Sequence, residues 1–314
     1  MKNILYGIMY SFKEIKNSKI FYSFLIFALI LISGSYFVSQ TSFINQGRIM
    51  VDFSIFAISI FNIFIGIFIG ASVVYDDIEK KSIFLSITRP VKRTEYLTGR
   101  FLGLAAAIIF STVIMMFIFY FVLLIMHKFI VPVVPNAGAA VSGAKSVHNV
   151  HSNNVNLQNN SASYAASGHP FTFYTLPQPL IIQGLFIIIE SVFISAAALL
   201  FSLVTSKALA SIFAILIFFI GNVSSRMNDL VKPVKKIIDG KVVIVHQANH
   251  ILASIVRFIY TVLPNFSIFN ISSEAAYKVN VSSGMILYRA AYGICYTTLL
   301  FIIASIIFSK KDIS

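Results

Sequence analysis

Long apolar runs, separated by charged or small polar links, set the pattern of this chain. Five runs, at 20–40, 53–75, 101–126, 180–205 and 285–308, reach the roughly 20 residues a helix needs to cross about 30 Å of hydrocarbon. A sixth, 208–223, is shorter, and only Ser206 and Lys207 part it from the run before, which predicts the returning arm of a tight hairpin. The runs do not alternate polar with apolar and are too long for strands of about 10 residues, which argues against a barrel. The pattern predicts an all-α polytopic membrane protein of one domain, 1–314, with six transmembrane helices. Ahead of the first run, Ile4, Ile8, Phe12 and Ile15 recur at helical spacing, with Lys13 and Lys16 off that face. This predicts an interfacial amphipathic helix over 1–19, lying along the inner leaflet.

Charge orients the runs. Lys2, Lys13, Lys16 and Lys19 precede the first span, basic residues crowd the stretch from Lys80 to Arg100, and Lys310 and Lys311 close the chain. By the positive-inside rule these segments, and with them both termini, are cytoplasmic. The link 41–52 carries only Arg48, and the link 127–179 only Lys128 and Lys145, so both face outward. The link 224–284 is richer in Lys and Arg, yet six spans put it outside, where the rule is weak for loops of about 60 residues. Within it, a span over 242–263 would place His246, His250 and Arg257 in hydrocarbon, at about 2.5 kcal/mol or more for the arginine. A helix lying on or re-entering the outer leaflet and stopped at Pro264 is expected instead. Seven spans with an outside C-terminus is the alternative. The loop 127–179, rich in Ala, Ser, Asn, Gly and His, reads as a flexible insertion. The run at 20–40 reads as a retained anchor, although Ser33-Gly34-Ser35 has the small residues of a cleavage site.

Composition narrows the class. Apolar residues form 58% of the chain and charged ones 11%, against about 45–50% and about 25% in soluble domains. The net charge of +13 comes from 24 Lys and Arg placed at span ends, which suits membrane lipids with anionic headgroups and not nucleic acid. The single cysteine, Cys295, can form no disulfide within the chain. The 6 histidines lie in links assigned to the outside. His246 and His250 are four apart, a ligand spacing, but no cysteine or carboxylate completes a metal set and none is expected. No nucleophile, base and orienter assemble, so no catalytic residue is expected.

Within the spans, Glu190 is the acid set deepest, flanked by Ile187, Ile188 and Ile189. A carboxyl there is a functional candidate or a carboxyl paired with a neighbouring helix. Asn62 carries the same two readings at lower cost. Gly66 and Gly70, four apart, offer a small-residue face for close helix packing, within the chain or across a dimer.

The stretch 76–100 is the most specific part of the sequence. Asp76, Asp77 and Glu79 end the second run, Glu79 to Thr88 can form a short amphipathic helix, Pro90 breaks it, and Lys92, Arg93, Glu95 and Arg100 follow. These residues resemble the ABC-2 type permeases, whose corresponding loop reads Glu, a small residue, a Leu-rich turn, Pro-Val-x-Arg and then Gly-Lys. Here the matching residues are Glu79, Ser82, Leu85, Arg89-Pro90-Val91-Lys92-Arg93 and Gly99-Arg100, with Ser82 where Gly is common and Arg100 where Lys is common. Leu263-Pro264-Asn265-Phe266, in the link before the last run, and the six-span layout share the resemblance.

What the resemblance implies is the transmembrane permease subunit of an ATP-binding cassette exporter in a bacterial cytoplasmic (inner) membrane. It would pair with a second permease, the same or related, and with two ATPase subunits holding ATP and Mg²⁺. The segment 76–100 would then be the ATPase-coupling contact. The chain has no G-x-x-x-x-G-K-[ST] loop, so it is expected to bind no cofactor of its own and to lack an ATPase site. The other reading is a non-transporting scaffold or sensor that holds a cytoplasmic partner on the same hairpin.

Overall fold

The computed structural model describes residues 2–41, 46–79, 93–130, 178–231, 234–238, 241–246, 254, 264–272 and 281–310. These form the helices α1 (Lys2–Lys16), α2 (Lys19–Ser39), α3 (Gln46–Glu79), α4 (Arg93–Ile130), α5 (Gln178–Ser202), α6 (Lys207–Val231) and α7 (Ser283–Lys310). A two-stranded antiparallel ribbon, β1 (Val234–Ile238) with β2 (Lys241–His246), and a 3-10 turn, Phe266–Phe269, join them. Helices α2, α3, α4, α5 and α7 are long and apolar enough to cross a membrane, the make-up of a multi-pass membrane protein. In α6 the apolar stretch, Lys207–Val223, is shorter.

Sequence dictates helices here because hydrocarbon leaves backbone polar groups only internal partners. Buried hydroxyls follow the same logic and donate to carbonyls one turn back: Ser35 to Ile32 at 2.6 Å, Ser39 to Tyr36 at 2.7 Å and Ser202 to Leu199 at 2.7 Å. Between α1 and α2 the chain turns at Asn17, and Ser18 caps α2 by accepting from the Phe21 N–H at 3.1 Å.

Helices α2 to α7 alternate in direction. Phe24 lies beside Phe68 and Phe27 beside Phe61 across α2 and α3, and Phe101 stacks on Phe301 at 4.9 Å across α4 and α7. The centre is the parallel pair α3 and α5, each 67% buried over its apolar stretch, against 22% for α2 and 17% for α7. Glycine sets their spacing. A Cβ on Gly66 would lie 2.9 Å from the Ser191 carbonyl oxygen, and one on Gly70 2.9 Å from that of Ser195. The small-residue face therefore packs within one chain.

Two expectations are corrected. The face of α1 carrying Ile4, Ile8, Phe12 and Ile15 does not lie on a membrane surface; it packs on α4. Ile15 is buried, Phe12 meets Phe110 edge-on at 5.6 Å, and small residues bring the helices together, Gly7 on Gly99 and Ser11 on Gly103. The side turned outward is Leu5, Tyr6, Met9 and Tyr10. The expected helix over 242–263 begins instead as a strand, because the β-branched run Val242-Val243-Ile244-Val245 favours a pleated partner. Its register pairs Ile238 with Lys241 across Asp239-Gly240, a two-residue hairpin signal. His246 is thus on a strand, not a helix face, and the rest of 242–263, apart from Ser254, lies outside the described residues.

Candidate functional site

At one end of the bundle the end of α3, the starts of α4 and α6, the end of α7 and the flank of α1 converge on a charged cluster. Arg100 is its centre. Its side chain is only 6% exposed and pairs with Asp77 of α3 and with Glu14 of α1, which is 49% exposed. The Tyr96 hydroxyl donates to Asp77, Arg100 Nε donates to the Tyr96 oxygen at 3.2 Å, and the guanidinium lies 5.3 Å from the Tyr10 ring centre. A planar, always charged guanidinium suits such a desolvated junction because it bonds two carboxylates at once and stacks on rings. Nearby, Lys207 at the start of α6 reaches Asp76 at 3.1 Å, Arg93 donates to the Ser309 carbonyl of α7 at 3.4 Å, and Tyr96 stacks on Phe308.

The residues expected to couple to an ATPase divide in three. Glu79 and Arg93 are exposed, at the last position of α3 and the first of α4. Gly99 and Arg100 are buried in the chain's own packing, Gly99 against Gly7 and Arg100 in the ion cluster. Ser82, Leu85, Arg89, Pro90 and Val91, with the expected short helix over 79–88, lie outside the described residues beyond Glu79.

A second polar region sits inside the bundle. Asn62 is fully buried and its hydrogen bonds are met locally. Its amide donates to the Ile58 carbonyl at 3.1 Å and faces Met115 Sδ, and its oxygen accepts from Ser111 at 2.5 Å. It ties α3 to α4. Glu190, 8% exposed, stands midway along α5 with the Asn222 side chain of α6 beside its carboxyl, and the Asn222 amide donates to the Phe218 carbonyl at 3.2 Å. Gln183, Phe186, Glu190 and Phe193 fall at spacings of three, four and three, so they share one face of α5.

That face is covered by 264–272, in the link expected to lie outside. Phe266 meets Phe193 at 5.1 Å, Phe269 meets Phe186 at 6.1 Å, and the Ile271 N–H donates to Gln183 Oε1 at 2.8 Å. The segment therefore runs about 15 Å along α5, at 1.5 Å per residue, from the level of Phe193 to that of Gln183. Asn265 caps the turn, accepting from the Ser267 N–H at 3.0 Å, while its own N–H donates to the Tyr292 hydroxyl at 3.0 Å. Two glycines make the notch: a Cβ on Gly221 would lie 2.3 Å from the Phe266 ring, and one on Gly293 2.3 Å from Ile189 and 2.9 Å from Phe269.

Sequence reasoning missed Arg289. On α7 the inward positions Ile286, Arg289, Gly293 and Tyr296 repeat at three, four and three, and that stripe was available in the helical period. Arg289 Nη1 is buried without a hydrogen-bond partner. Among the described residues no group of three or more His, Cys, Asp or Glu could hold a metal ion. No protein-family model and no curated protein matches the chain.

Proposed function

We propose that this chain is the transmembrane permease subunit of an ATP-driven exporter of the ABC-2 type, with the segment 79–93 as its contact with separate ATPase subunits. The observation that carries the reading is the charged cluster that fastens both stems of that segment. Arg100 joins α4 to Asp77 of α3 and to α1, and Arg93 and Asp76 reach α7 and α6. A push on residues 80–92 would thus reach the ends of α3, α4, α6 and α7 and the flank of α1, and the Arg89-Pro90-Val91-Lys92-Arg93 sequence supplies the docking charges.

In this reading α6 is the sixth span, since its 25 residues make about 37 Å of helix against about 30 Å of hydrocarbon. The charged end faces the cytoplasm of a bacterial cell and holds both termini. Helix α1 rests at the inner membrane surface on its Leu5, Tyr6 and Met9 side. A second permease completes the transporter, and ATP with Mg²⁺ binds only on the ATPases.

Co-expression with candidate ATPase subunits tests the proposal. Arg89→Glu, and then Arg89→Glu with Arg93→Glu, should lower ATPase co-purification and coupled ATP turnover at least about tenfold, since a like-charge contact in an interface costs several kcal/mol. The single variant spares the Arg93 contact with Ser309 and separates docking from folding. Unchanged association and turnover in the double variant would overturn the coupling role.

A further inference from the structure

Glu190 on α5 and Arg289 on α7 are ionisable groups of opposite sign on the same side of the bundle: Glu190 is buried, and Arg289 is half-buried with its Nη1 withdrawn from solvent. Glu190 has the Asn222 side chain beside its carboxyl, and no cation among the described residues pairs with it. The buried nitrogen of Arg289 has no acceptor. A carboxyl buried midway along a span is expensive, and ionisable groups in spans are kept for ligands, ions or partners.

Their relative height follows from the packing of the parallel helices α5 and α7. Gly293 lies against Ile189 and Tyr296 against Phe193, so Arg289 stands four to five residues above Glu190, an axial offset of about 6–7 Å. Between the two levels sits Phe269, against Phe186 and Tyr292 at 6.1 and 6.2 Å. The Phe266–Phe269 turn thus stands at a level between the two residues.

We propose that Glu190, Asn222 and Arg289 form a binding site for the headgroup of a zwitterionic amphiphile, its ammonium on Glu190 and its phosphate or carboxylate on Arg289. In the conformation described the site is closed by the 264–272 segment. Phenylalanine and tyrosine rings around it (Phe186, Phe193, Phe266, Phe269, Tyr292 and Tyr296) supply apolar walls and faces that attract an ammonium group. That the site lies on a transport route rests on the permease reading; the binding chemistry does not.

Two probes with the same acyl chain and the same phosphate separate the charges: lysophosphatidylethanolamine carries an ammonium and lysophosphatidylglycerol does not. Binding to the full chain is counted by native mass spectrometry. The intact protein should prefer the ethanolamine lipid by about tenfold, as one charge-assisted hydrogen bond allows. Glu190→Gln, which keeps size and the amide contact, should abolish that preference while leaving glycerol-lipid binding in place, which also reports an intact fold. Arg289→Gln should weaken both probes and keep their order. A preference that survives Glu190→Gln, or binding of both probes untouched by Arg289→Gln, would overturn the site. In a complex with ATPase subunits, release on ATP addition would mark cargo and retention a resident bilayer lipid, and either upholds the site. Loss of ATPase coupling with the probe pattern intact would remove the permease reading alone.

Discussion

Arg100 illustrates how one residue can define a junction. Its guanidinium is withdrawn from water among Asp77, Tyr96 and Tyr10, so its charge is compensated chiefly by the equally buried Asp77, whereas Glu14 shares its own charge with solvent. Removing one partner of a buried pair strands the other, at about 3–5 kcal/mol, while a half-exposed pair contributes about 0–1 kcal/mol. Asp77→Asn should therefore destabilise the protein by about 3 kcal/mol or more, and Glu14→Gln by no more than about 1 kcal/mol. Thermal unfolding in one detergent reads both. Equal losses would show that Glu14, despite its exposure, holds the arginine as firmly as Asp77 does. The sequence marked Arg100 by its motif position, but not its inward turn, because nothing local to 93–100 signals that Glu14 of α1 and Asp77 of α3 arrive beside it.

At the scale of elements, what was legible was whatever a single period encodes. The apolar runs at 20–40, 53–75, 101–126, 180–205 and 285–308 each lie in one helix, except for Gln40 and for 203–205, which form the tight turn into α6 that Ser206 and Lys207 implied. What was not legible is which protein surface an apolar face meets. The Ile4, Ile8, Phe12 and Ile15 face would look the same on lipid as on α4, and only the matching small residues Gly99 and Gly103 on α4 decide for protein. The ribbon was missed because Val242 to Val245 was joined to the apolar residues after it, although Asp239-Gly240 marks a hairpin. Residues 264–272 read as loop for want of any period, yet Gly221 and Gly293 cut the notch that admits Phe266 and Phe269. Close packing makes its own prediction at the α3–α5 contact. In Gly66→Val the added carbons meet the backbone oxygen of Ser191, which cannot swing aside, so a loss of about 1–3 kcal/mol is expected. Gly34→Val, where nothing lies within 4 Å, should stay within about 0.5 kcal/mol of the parent. The same melting experiment decides, and equal effects would mean that α3 and α5 have room to separate.

Over the whole molecule, the contacts of the charged end join chain positions far apart: Glu14, Asp77, Arg93, Arg100, Lys207 and Ser309. Each crossing of a membrane inverts the chain, so an even number of spans keeps the start of α2 and the end of α7 on one side, and an odd number would part them. The proposed six spans require the start of α4 and the end of α7 on one side, as the meeting of Arg93 with Ser309 has them. Single cysteines in a Cys295→Ser background turn this into a measurement, because each introduced thiol is then the one cysteine of the chain. With the charged end in the cytoplasm, Thr41→Cys at the far end of α2 should be labelled by a membrane-impermeant maleimide on intact cells. Glu79→Cys and Ser309→Cys should be labelled only after permeabilisation. Labelling of Glu79→Cys and Ser309→Cys from outside would invert the molecule and end the proposed contact with cytoplasmic ATPases. Labelling of Ser309→Cys alone from outside would require an odd number of spans and break the shared end on which that contact depends.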